Sequence, residues 1–387
     1  MADRTPVIVG VGLSDLGKVP HLDRLRHHTL AFERAIADAG VAPTDVDAVM
    51  SYGLYGIDDA ATMAEYLGIR PRVLDGTFAG GTVFELFVQH AANAIRAGEC
   101  EVVAITYGSD LLSASGRSLG TKSFLTSARQ GGTLAWEAPW GNSLVGGYAL
   151  AATRHMHEYG TTSEQLAEIA VATRAHAAHN PQALYRDPIT VEDVLDSRMI
   201  ADPLHMLDCC VVSDGGGALI LTTAERARDL PSTPVYVLGS GTGSTHWNVS
   251  QMPDFTRTGA GVAGRDAFER AGLTPADVDT VQLYDSFTIT VLLLLEDLGF
   301  CEKGEGGAFV SSGAIGLGGS LPLNTDGGGL SACHPGMRGI FLLAEAARQL
   351  RGDAGVAQVP DCEVAMCCGS GGQLSIMGAV LLGREHP

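Results

Sequence analysis

Two stretches of the sequence repeat one another at a long interval, and this repeat constrains the fold more than any other feature. Residues 39–49 (AGVAPTDVDAV) and 271–281 (AGLTPADVDTV) are identical at seven of eleven positions at an offset of 232, and Ala-Phe-Glu-Arg precedes both. Such an interval excludes a solenoid, whose repeats span about 20–50 residues. Chance similarity of two helix–strand units is the simpler alternative. The repeat favours a duplicated α/β domain, whose strands are buried by amphipathic helices on both faces.

Further matches keep the same order in both halves of the chain. Residues 6–9 match residues 234–237, and residues 100–103 match residues 362–365. We therefore predict an N-terminal half over residues 1–228 and a C-terminal half over residues 232–387. Residues from about 111 to 203 have no counterpart. We expect them to form an inserted loop lobe with helices of its own, because a long insertion is more often functional than a linker.

Composition and charge exclude several classes of protein. The chain carries 25 Lys and Arg against 44 Asp and Glu, a formal net charge of −19, which argues against nucleic-acid binding because phosphate contacts need clustered cations. The longest strongly apolar run, residues 289–295, is far shorter than the about twenty residues of a membrane-spanning helix. The N-terminus lacks the apolar region of a signal peptide. Eight cysteines without a CxxC pair fit neither a disulfide scaffold nor a zinc ribbon. We expect a reduced, cytoplasmic protein.

Two other patterns could suggest a metal or nucleotide site, but neither has the residues that such a site requires. The histidine pairs His155/His157 and His176/His179 have no carboxylate at metal-ligand spacing, so we expect no metal ion. The stretch Gly239–Gly243 follows a predicted strand but lacks both the dinucleotide fingerprint and the P-loop lysine. We interpret it as a turn.

Three further motifs resemble those of the thiolase family, in the family's order. Cys209–Ala218 resembles the Cys-Cys-Pro-Thr-Ser-Asp-Gly-Ala-Ala stretch of sterol-carrier-protein-type thiolases. Asn324–Pro335 resembles the family's Asn…Gly-Gly…Gly-His-Pro loop, with Cys333 in the place of a glycine, and Gly369–Gly372 resembles its glycine-rich C-terminal loop. With the duplication, the resemblance covers essentially the whole chain. It implies an α/β thiolase fold: duplicated mixed-sheet α/β domains in a layered α-β-α-β-α arrangement, with an inserted loop lobe.

Two departures from the thiolase pattern change the chemistry that the resemblance implies. Thiolases carry a nucleophilic cysteine at the N-terminus of the buried helix in the first half, whereas here that position falls at or beside Phe78, which cannot carry an acyl group. Where sterol-carrier-type thiolases have His-Asp-Cys-Phe, this chain has Tyr284-Asp285-Ser286-Phe287. That motif is similar to the thiolase-fold aldolases of steroid side-chain degradation. The resemblance therefore implies retro-aldol cleavage of a bulky β-hydroxyacyl-CoA, for example a steroidal one, into a ketone and a short acyl-CoA.

The loop histidine separates this chain from those aldolases, in which we expect a second tyrosine at that position. The chain keeps His334, and its loop is one residue short after Pro335. If the loop is aligned with the family's motif from its C-terminal end, Cys333 falls at the histidine position. The site would then be intermediate between the two chemistries.

The resemblance and the chemistry of retro-aldol cleavage indicate four candidate catalytic residues: Tyr284, His334, Asp285 and Cys333. Tyr284 suits proton removal from the β-hydroxyl or protonation of the enolate carbon, and as a base it needs a cationic or donor neighbour because its ordinary pKa is about 10. His334 suits a hydrogen bond to the thioester oxygen, where one donor is typically worth about 2.7–4 kcal/mol. Asp285 suits orienting the neighbouring loop. Without the resemblance, Tyr284 and His334 are interpreted as packing residues.

Two rival functions stay open on the sequence. A Claisen thiolase would need an unconventional thiol, for which Cys333, Cys367 and Cys368 are candidates, although free cysteine is most often a buried packing residue. We interpret the adjacent pair Cys209–Cys210 as packing. A non-catalytic subunit would bind acyl-CoA without turnover.

Charge and resemblance supply the remaining expectations. CoA is anionic and the chain is acidic, so a CoA site must gather local cations, and Arg117, Lys122 and Arg129 are candidates on charge alone. We expect no cofactor beyond the CoA of the substrate thioester. The resemblance implies a homodimer, and a zinc-ribbon/OB-fold partner protein that would complete a heterotetramer.

Overall fold

The structure is a computed structural model that describes residues 3–53, 56–115, 133–141 and 143–386. Its strands are β1 (Pro6–Leu13), β2 (Ala48–Ser51), β3 (Val73–Asp75), β4 (Val103–Ser109), β5 (Met199–Ala201), β6 (Leu204–His205), β7 (Gly215–Thr223), β8 (Val235–Ser244), β9 (Thr280–Leu283), β10 (Val364–Gly371) and β11 (Ile376–Gly383). Its helices are α1 (Arg24–Ala39), α2 (Ala60–Tyr66), α3 (Val83–Ala97), α4 (Leu111–Ser115), α5 (Leu134–Glu137), α6 (Leu144–Tyr159), α7 (Ser163–Ala177), α8 (Val191–Asp196), α9 (Ala224–Ala227), α10 (Ala260–Ala271), α11 (Thr288–Asp297), α12 (Gly306–Ser311) and α13 (Gly339–Arg351).

The two copies of the sequence repeat fold alike. Helices α1 and α10 each end at a glycine in the left-handed region, Gly40 with a φ of 67° and Gly272 with a φ of 68°, where a side chain would strain the backbone. A 3-10 turn that begins at a proline follows each glycine, and β2 and β9 follow the turns. The predicted duplication is confirmed for these elements. It places Tyr52 and Tyr284 directly after equivalent strands.

Nine strands form one mixed sheet in the order β3-β2-β4-β7-β1-β8-β11-β10-β9. Strand β2 runs parallel to β3 and β4, and β9 runs parallel to β10, whereas the remaining pairs are antiparallel. The N-terminal half supplies the first five strands and the C-terminal half the last four. The halves meet where β1 pairs with β8 at Val7 and Ile8. The exact boundary between them, at residues 228–232, stays a prediction.

The N-terminal and C-terminal parts of the sheet lie on either side of α3 and α13, and α1 and α10 cover their outer faces, which produces five layers. On β1, Ile8 packs into the main core with α3, whereas Val7 and Val9 pack with α1 into a second core on the opposite face. Helices α3 and α13 contact strands of both halves, α1 packs on β1, β4 and β7, and α10 packs on β8 and β11. The layered α-β-α-β-α arrangement is therefore confirmed.

The glycines between residues 239 and 243 belong to β8, so the prediction of a turn there is wrong. A Cβ on Gly239 would lie 2.1 Å from the carbonyl oxygen of Ala267, and one on Gly241 would lie 2.1 Å from that of Ala263. Glycine is needed because the backbone of α10 lies directly on the strand. The alternating glycines therefore mark close helix packing.

The inserted segment packs on the C-terminal half. Helices α6 and α7 contact α11, and α7 also contacts the chain at Gly328–Ala332, which belongs to the loop resembling Gly-His-Pro. All eight cysteines are free thiols. Within the described ranges, no helix has the length and apolar character needed to cross a membrane.

Candidate active site

A cavity of about 410 Å³ lies where strands of both halves end. Its lining includes residues at or just after the ends of β2, β4, β9 and β10, together with the loop residues His334–Met337. Carboxyl ends of parallel strands meet at one edge of a sheet, which is where α/β proteins bind ligands. No Lys, Arg, Asp or Glu among the described residues lines the cavity. The described lining is therefore uncharged and rich in aromatic side chains.

Tyr284 and His334 are hydrogen-bonded to each other in this cavity. The hydroxyl of Tyr284 lies 3.0 Å from Nε2 of His334, and the rings meet edge to face with centroids 5.6 Å apart. Each residue is only 4% exposed. The backbone N–H of Tyr284 donates to the carbonyl of Cys368 at 2.9 Å, and that of His334 donates to Oγ of Ser213 at 3.0 Å. Two residues far apart in the sequence thus form one polar pair.

Burial sets the protonation states of this pair. Burial raises the pKa of Tyr284 well above its usual value, and the neighbouring Cys210 and Tyr148 raise it further. Burial and the positive charge of Arg338 lower the pKa of His334 to about 4. At neutral pH the pair is therefore a phenol beside a neutral imidazole. With the ring hydrogen assigned to Nδ1, Nε2 is an acceptor for the phenolic proton.

Buried polar groups fix the loop that carries His334. The side chain of Asn324 accepts from the N–H of Leu283 at 2.8 Å and donates to the carbonyl of Leu283 at 2.9 Å. This anchor lies immediately before Tyr284. Residues Gly328–Ala332 form a π-helical turn, a conformation often found at functional sites. The loop and the tyrosine are therefore positioned relative to one another by the backbone.

Asp285 contacts this loop and lies outside the cavity lining. Its carboxylate accepts from the N–H of Gly329 at 2.8 Å and from that of Leu330 at 3.1 Å. Nε of Arg338 lies 3.3 Å from Asp285, and the same fully buried guanidinium donates twice to Asp326. Burial raises the pKa of Asp285, while Arg338 and the two N–H donors oppose the rise. This geometry supports an orienting role. Nothing in the sequence marked Arg338 as buried, so sequence reasoning missed it.

The three cysteines considered for thiolase chemistry lie outside the cavity lining. Nη1 of Arg338 lies 3.4 Å from Sγ of Cys333, and burial raises the pKa of that thiol to about 12. Cys367 and Cys368 lie within β10, where burial raises the pKa of both thiols well above the usual value. In contrast to the alternative alignment, His334 lines the cavity and Cys333 does not.

Cys210 lines the cavity, although the sequence suggested packing for it. Its backbone N–H donates to the carbonyl of Ser286 at 2.9 Å. Burial raises the pKa of the Cys210 thiol well above its usual value. The backbone of Cys209 forms an isolated antiparallel β-bridge with that of Phe287, and its side chain packs against the core, as expected. Adjacent residues of an extended chain face opposite ways, so the sequence alone gave no basis for choosing between them.

Phe78, at or beside the position where the resemblance implies a nucleophilic cysteine, lies on the rim of the cavity. It is 55% exposed and precedes both α3 and the 3-10 turn Gly80–Thr82. Tyr284 occupies the space beside that turn, because a Cβ on Gly81 would lie 2.4 Å from its hydroxyl. The phenol of Tyr284 therefore stands beside the turn that leads into α3. The candidate CoA ligands Arg117, Lys122 and Arg129 lie outside the described residues.

Glu85 is a buried acid that sequence reasoning passed over. It lies on α3 and is 1% exposed. Its carboxylate lies against the backbone of Gly369, where a Cβ would stand 2.2 Å from Oε2. Neither carboxyl oxygen forms a hydrogen bond of normal geometry within the described part of the chain. Burial raises the pKa of Glu85 well above its usual value. In an amphipathic helix, Glu is expected on the face exposed to solvent. Helix α3, however, lies between two layers of strands and has little solvent-exposed surface.

The fold and the site together define a thiolase-fold protein, and comparison with known proteins places it in a family. Residues 241–384 match the family model described as "Thiolase C-terminal domain-like". An acetyl-CoA acetyltransferase of Methanothermobacter thermautotrophicus is 38% identical over 95% of this chain and 97% of its own length. The 17-hydroxy-3-oxo-4-pregnene-20-carboxyl-CoA lyase of Mycobacterium tuberculosis is 39% identical over 89% of this chain and 91% of its own. The chain belongs to the thiolase superfamily.

A solved structure gives the same result. The structure described as "Ltp2-ChsH2(DUF35) aldolase" superimposes with a TM-score of 0.89 at 34% identity, over 99% of this chain and 98% of that one. The family contains both acyltransferases and lyases by name. The site must therefore decide between them.

Proposed function

We propose that this chain is a thiolase-fold aldolase, a C–C lyase that cleaves a bulky β-hydroxyacyl-CoA, such as a steroidal one, into a ketone and a short acyl-CoA. The observation that carries the proposal is the buried Tyr284–His334 pair, which stands in the cavity beside the start of α3. The relative named as a lyase acts on a steroid whose hydroxyl, by its name, is β to the CoA thioester. Its name and the aldolase structure support the assignment.

The pair can move the proton that the reaction requires. As the Cα–Cβ bond breaks, the proton of the β-hydroxyl passes to the oxygen of Tyr284, and the proton of Tyr284 passes to Nε2 of His334. The hydroxyl carbon becomes the ketone carbonyl, and the bond electrons form the enolate of the thioester. Return of the proton along the same path to Cα yields the short acyl-CoA. A phenol that starts protonated suits this path, because no free phenolate is needed.

The environment of His334 suits it to hold a proton only transiently. A histidine whose pKa is about 4 returns a proton readily, and while it holds the proton the imidazolium can stabilise the enolate charge. This assignment replaces the direct hydrogen bond to the thioester oxygen expected from the sequence, since Nε2 is already occupied by Tyr284. The reaction needs no cofactor, because CoA is part of the substrate.

Replacement of Tyr284 by Phe tests the proposal. Removing a positioned acid–base group typically costs about 100- to 10,000-fold in rate, while the ring that packs on Gly81 is kept. We expect cleavage to fall by that amount in Tyr284→Phe. The matched control is Tyr236→Phe on β8, outside the cavity lining, which should keep full activity. Full cleavage by Tyr284→Phe would remove Tyr284 from the mechanism.

Thiolysis is the second candidate function, favoured by the relative named as an acetyltransferase and by the presence of Cys210 in the cavity. A thiolate nucleophile needs a lowered pKa, whereas burial raises that of Cys210. An acyl-enzyme trapped on Cys210 after incubation with a β-ketoacyl-CoA, and identified by mass spectrometry, would favour thiolysis over our proposal.

We further propose that the chain forms a homodimer and works with a zinc-ribbon/OB-fold partner in a heterotetramer. Support comes from the resemblance and from a structural neighbour whose description names two components. The cytoplasmic location is likewise a prediction. Light scattering of the purified chain, alone and with such a partner, tests the assembly, and a monomer in both samples would contradict it.

A further inference from the structure

Three aromatic side chains form a cluster at the rim of the cavity: Tyr52, Phe78 and Trp247. The ring centroids of Phe78 lie 5.4 Å from Tyr52 and 5.2 Å from Trp247, with interplanar angles of 48° and 57°. Tyr52 follows β2, Phe78 precedes α3 and Trp247 follows β8. We call these residues the rim cluster. Because they come from separate elements of both halves, their contact is a product of the tertiary fold.

The rim cluster exposes apolar surface next to a buried polar centre. Phe78 is 55% exposed and Trp247 is 43% exposed, whereas Tyr284 at the centre is 4% exposed. Large exposed aromatics beside a cavity are typical of ligand-binding surfaces. A ligand that reaches Tyr284 and extends outward across the rim would cover these rings. The rim cluster is therefore placed to contact the part of the substrate outside the reacting atoms.

Contacts with the glycine-rich C-terminal loop hold Trp247 of the rim cluster in place without a ligand. Oγ of Ser375 donates to the backbone carbonyl of Trp247 at 3.1 Å. The Trp247 ring also lies close to Gly372, where a Cβ would stand 3.5 Å from it. Gly372 itself lines the cavity. A preformed surface loses little conformational entropy on binding, and a ligand that is itself rigid adds little further loss.

Chemistry indicates which end of an acyl-CoA meets the rim cluster. The CoA moiety carries phosphates, and phosphates require cations. The cavity lining contains no charged side chain among the described residues, and the rim cluster offers three ring faces instead. Ring faces recognise apolar bodies through dispersion and area burial.

We propose that the rim cluster determines acyl-group specificity by binding a rigid ring system attached at the β-carbon of the substrate. This inference rests on the proposed lyase function and deepens it, because it assigns selectivity to named residues. Phe78 is the central member, since it contacts both of the others.

The test compares two substrates that share the CoA moiety and a tertiary β-hydroxyl. In one, the β-carbon belongs to a fused saturated ring system, and in the other it carries open chains with the same number of carbons. In Phe78→Ala and in Trp247→Ala, the loss of one aromatic contact should raise KM for the ring substrate about tenfold. The KM for the open-chain substrate should change less than about twofold in both variants. kcat should change little for either.

The control variant is Trp140→Ala, which removes an aromatic that is 86% exposed and lies outside the lining of this cavity. It should leave both KM values unchanged. An equal rise in KM for both substrates in Phe78→Ala would overturn the proposal, because the rim cluster would then bind the shared CoA moiety. An unchanged ring-substrate KM would overturn it as well.

Failure of the lyase function is distinguishable from failure of this inference. If the wild-type protein cleaves neither substrate, the corresponding acyl-CoAs without the β-hydroxyl are titrated by calorimetry. The same selective loss of ring-acyl affinity in Phe78→Ala supports the rim cluster without any turnover. Equal affinities of wild type and Phe78→Ala for the ring-acyl compound would refute it.

Discussion

Replacing the buried Glu85 by Gln should change how the stability of the protein depends on pH. Burial raises the pKa of Glu85 well above that of an exposed carboxyl, so at a pH between the two values the folded state binds up to one proton more than the unfolded state. Stability from this group is then fully present below the unfolded pKa and is lost as the pH rises toward the folded pKa. The slope for one proton is about 1.4 kcal/mol per pH unit. Gln is neutral at every pH, so Glu85→Gln removes this slope.

The measurement is the free energy of unfolding in urea at a fixed protein concentration, between about pH 6 and pH 8. Wherever Glu85 stays protonated in the folded state, the difference between Glu85→Gln and wild type should grow in favour of the variant by up to about 1.4 kcal/mol per pH unit. Other buried acids act equally in both proteins and cancel. Glu33→Gln, an exposed change on α1, is the control and should parallel wild type. Parallel curves for Glu85→Gln and wild type would refute the protonation state assigned to Glu85.

Three further predictions concern the site. Because the pKa of His334 is about 4, kcat/KM for cleavage should be flat from about pH 5.5 to pH 7.5, and a steep acid limb near the ordinary histidine pKa of about 6.5 would contradict the neutral pair. His334→Gln, which should not accept the phenolic proton, should lower kcat by about 100-fold or more with little change in KM; unchanged kcat would exclude His334 from the proton path. Cys333→Ser should keep its cleavage activity and merely lose stability in thermal unfolding, because the thiol is buried against Arg338 outside the cavity lining; complete loss of cleavage in a folded variant would favour a thiol mechanism.

The duplication made much of the fold predictable from the sequence. The repeated segments placed α1, β2, α10 and β9 in equivalent positions, because the same glycine and proline signals end the helices and start the turns. The glycines of β8 were misread because a glycine-rich stretch predicts a turn locally, whereas here it is required by the backbone of α10. That requirement is tertiary and leaves no local signature.

The residues of the site that belong to motifs were predictable from the sequence, whereas those positioned by tertiary packing were not. Tyr284 and His334 were found through motifs, and their hydrogen bond follows from the adjacency of β9 and the loop that Asn324 anchors. Arg338 and Glu85 were missed, because charged residues are rarely buried and only the five-layer packing shows that these two are. Phe78 was recognised as a substitution at a catalytic position, but its contact with Trp247 depends on the distant end of β8.

The most direct test of the central claim uses the wild-type protein and a β-hydroxyacyl-CoA with a tertiary β-carbon, in the absence of free CoA. Thiolysis consumes free CoA, whereas retro-aldol cleavage does not. The assay is run with and without a zinc-ribbon/OB-fold partner. We predict equal amounts of ketone and short acyl-CoA, formed about 100- to 10,000-fold more slowly by Tyr284→Phe. No cleavage in either sample, together with thiolysis of a β-ketoacyl-CoA once free CoA is added, would contradict it.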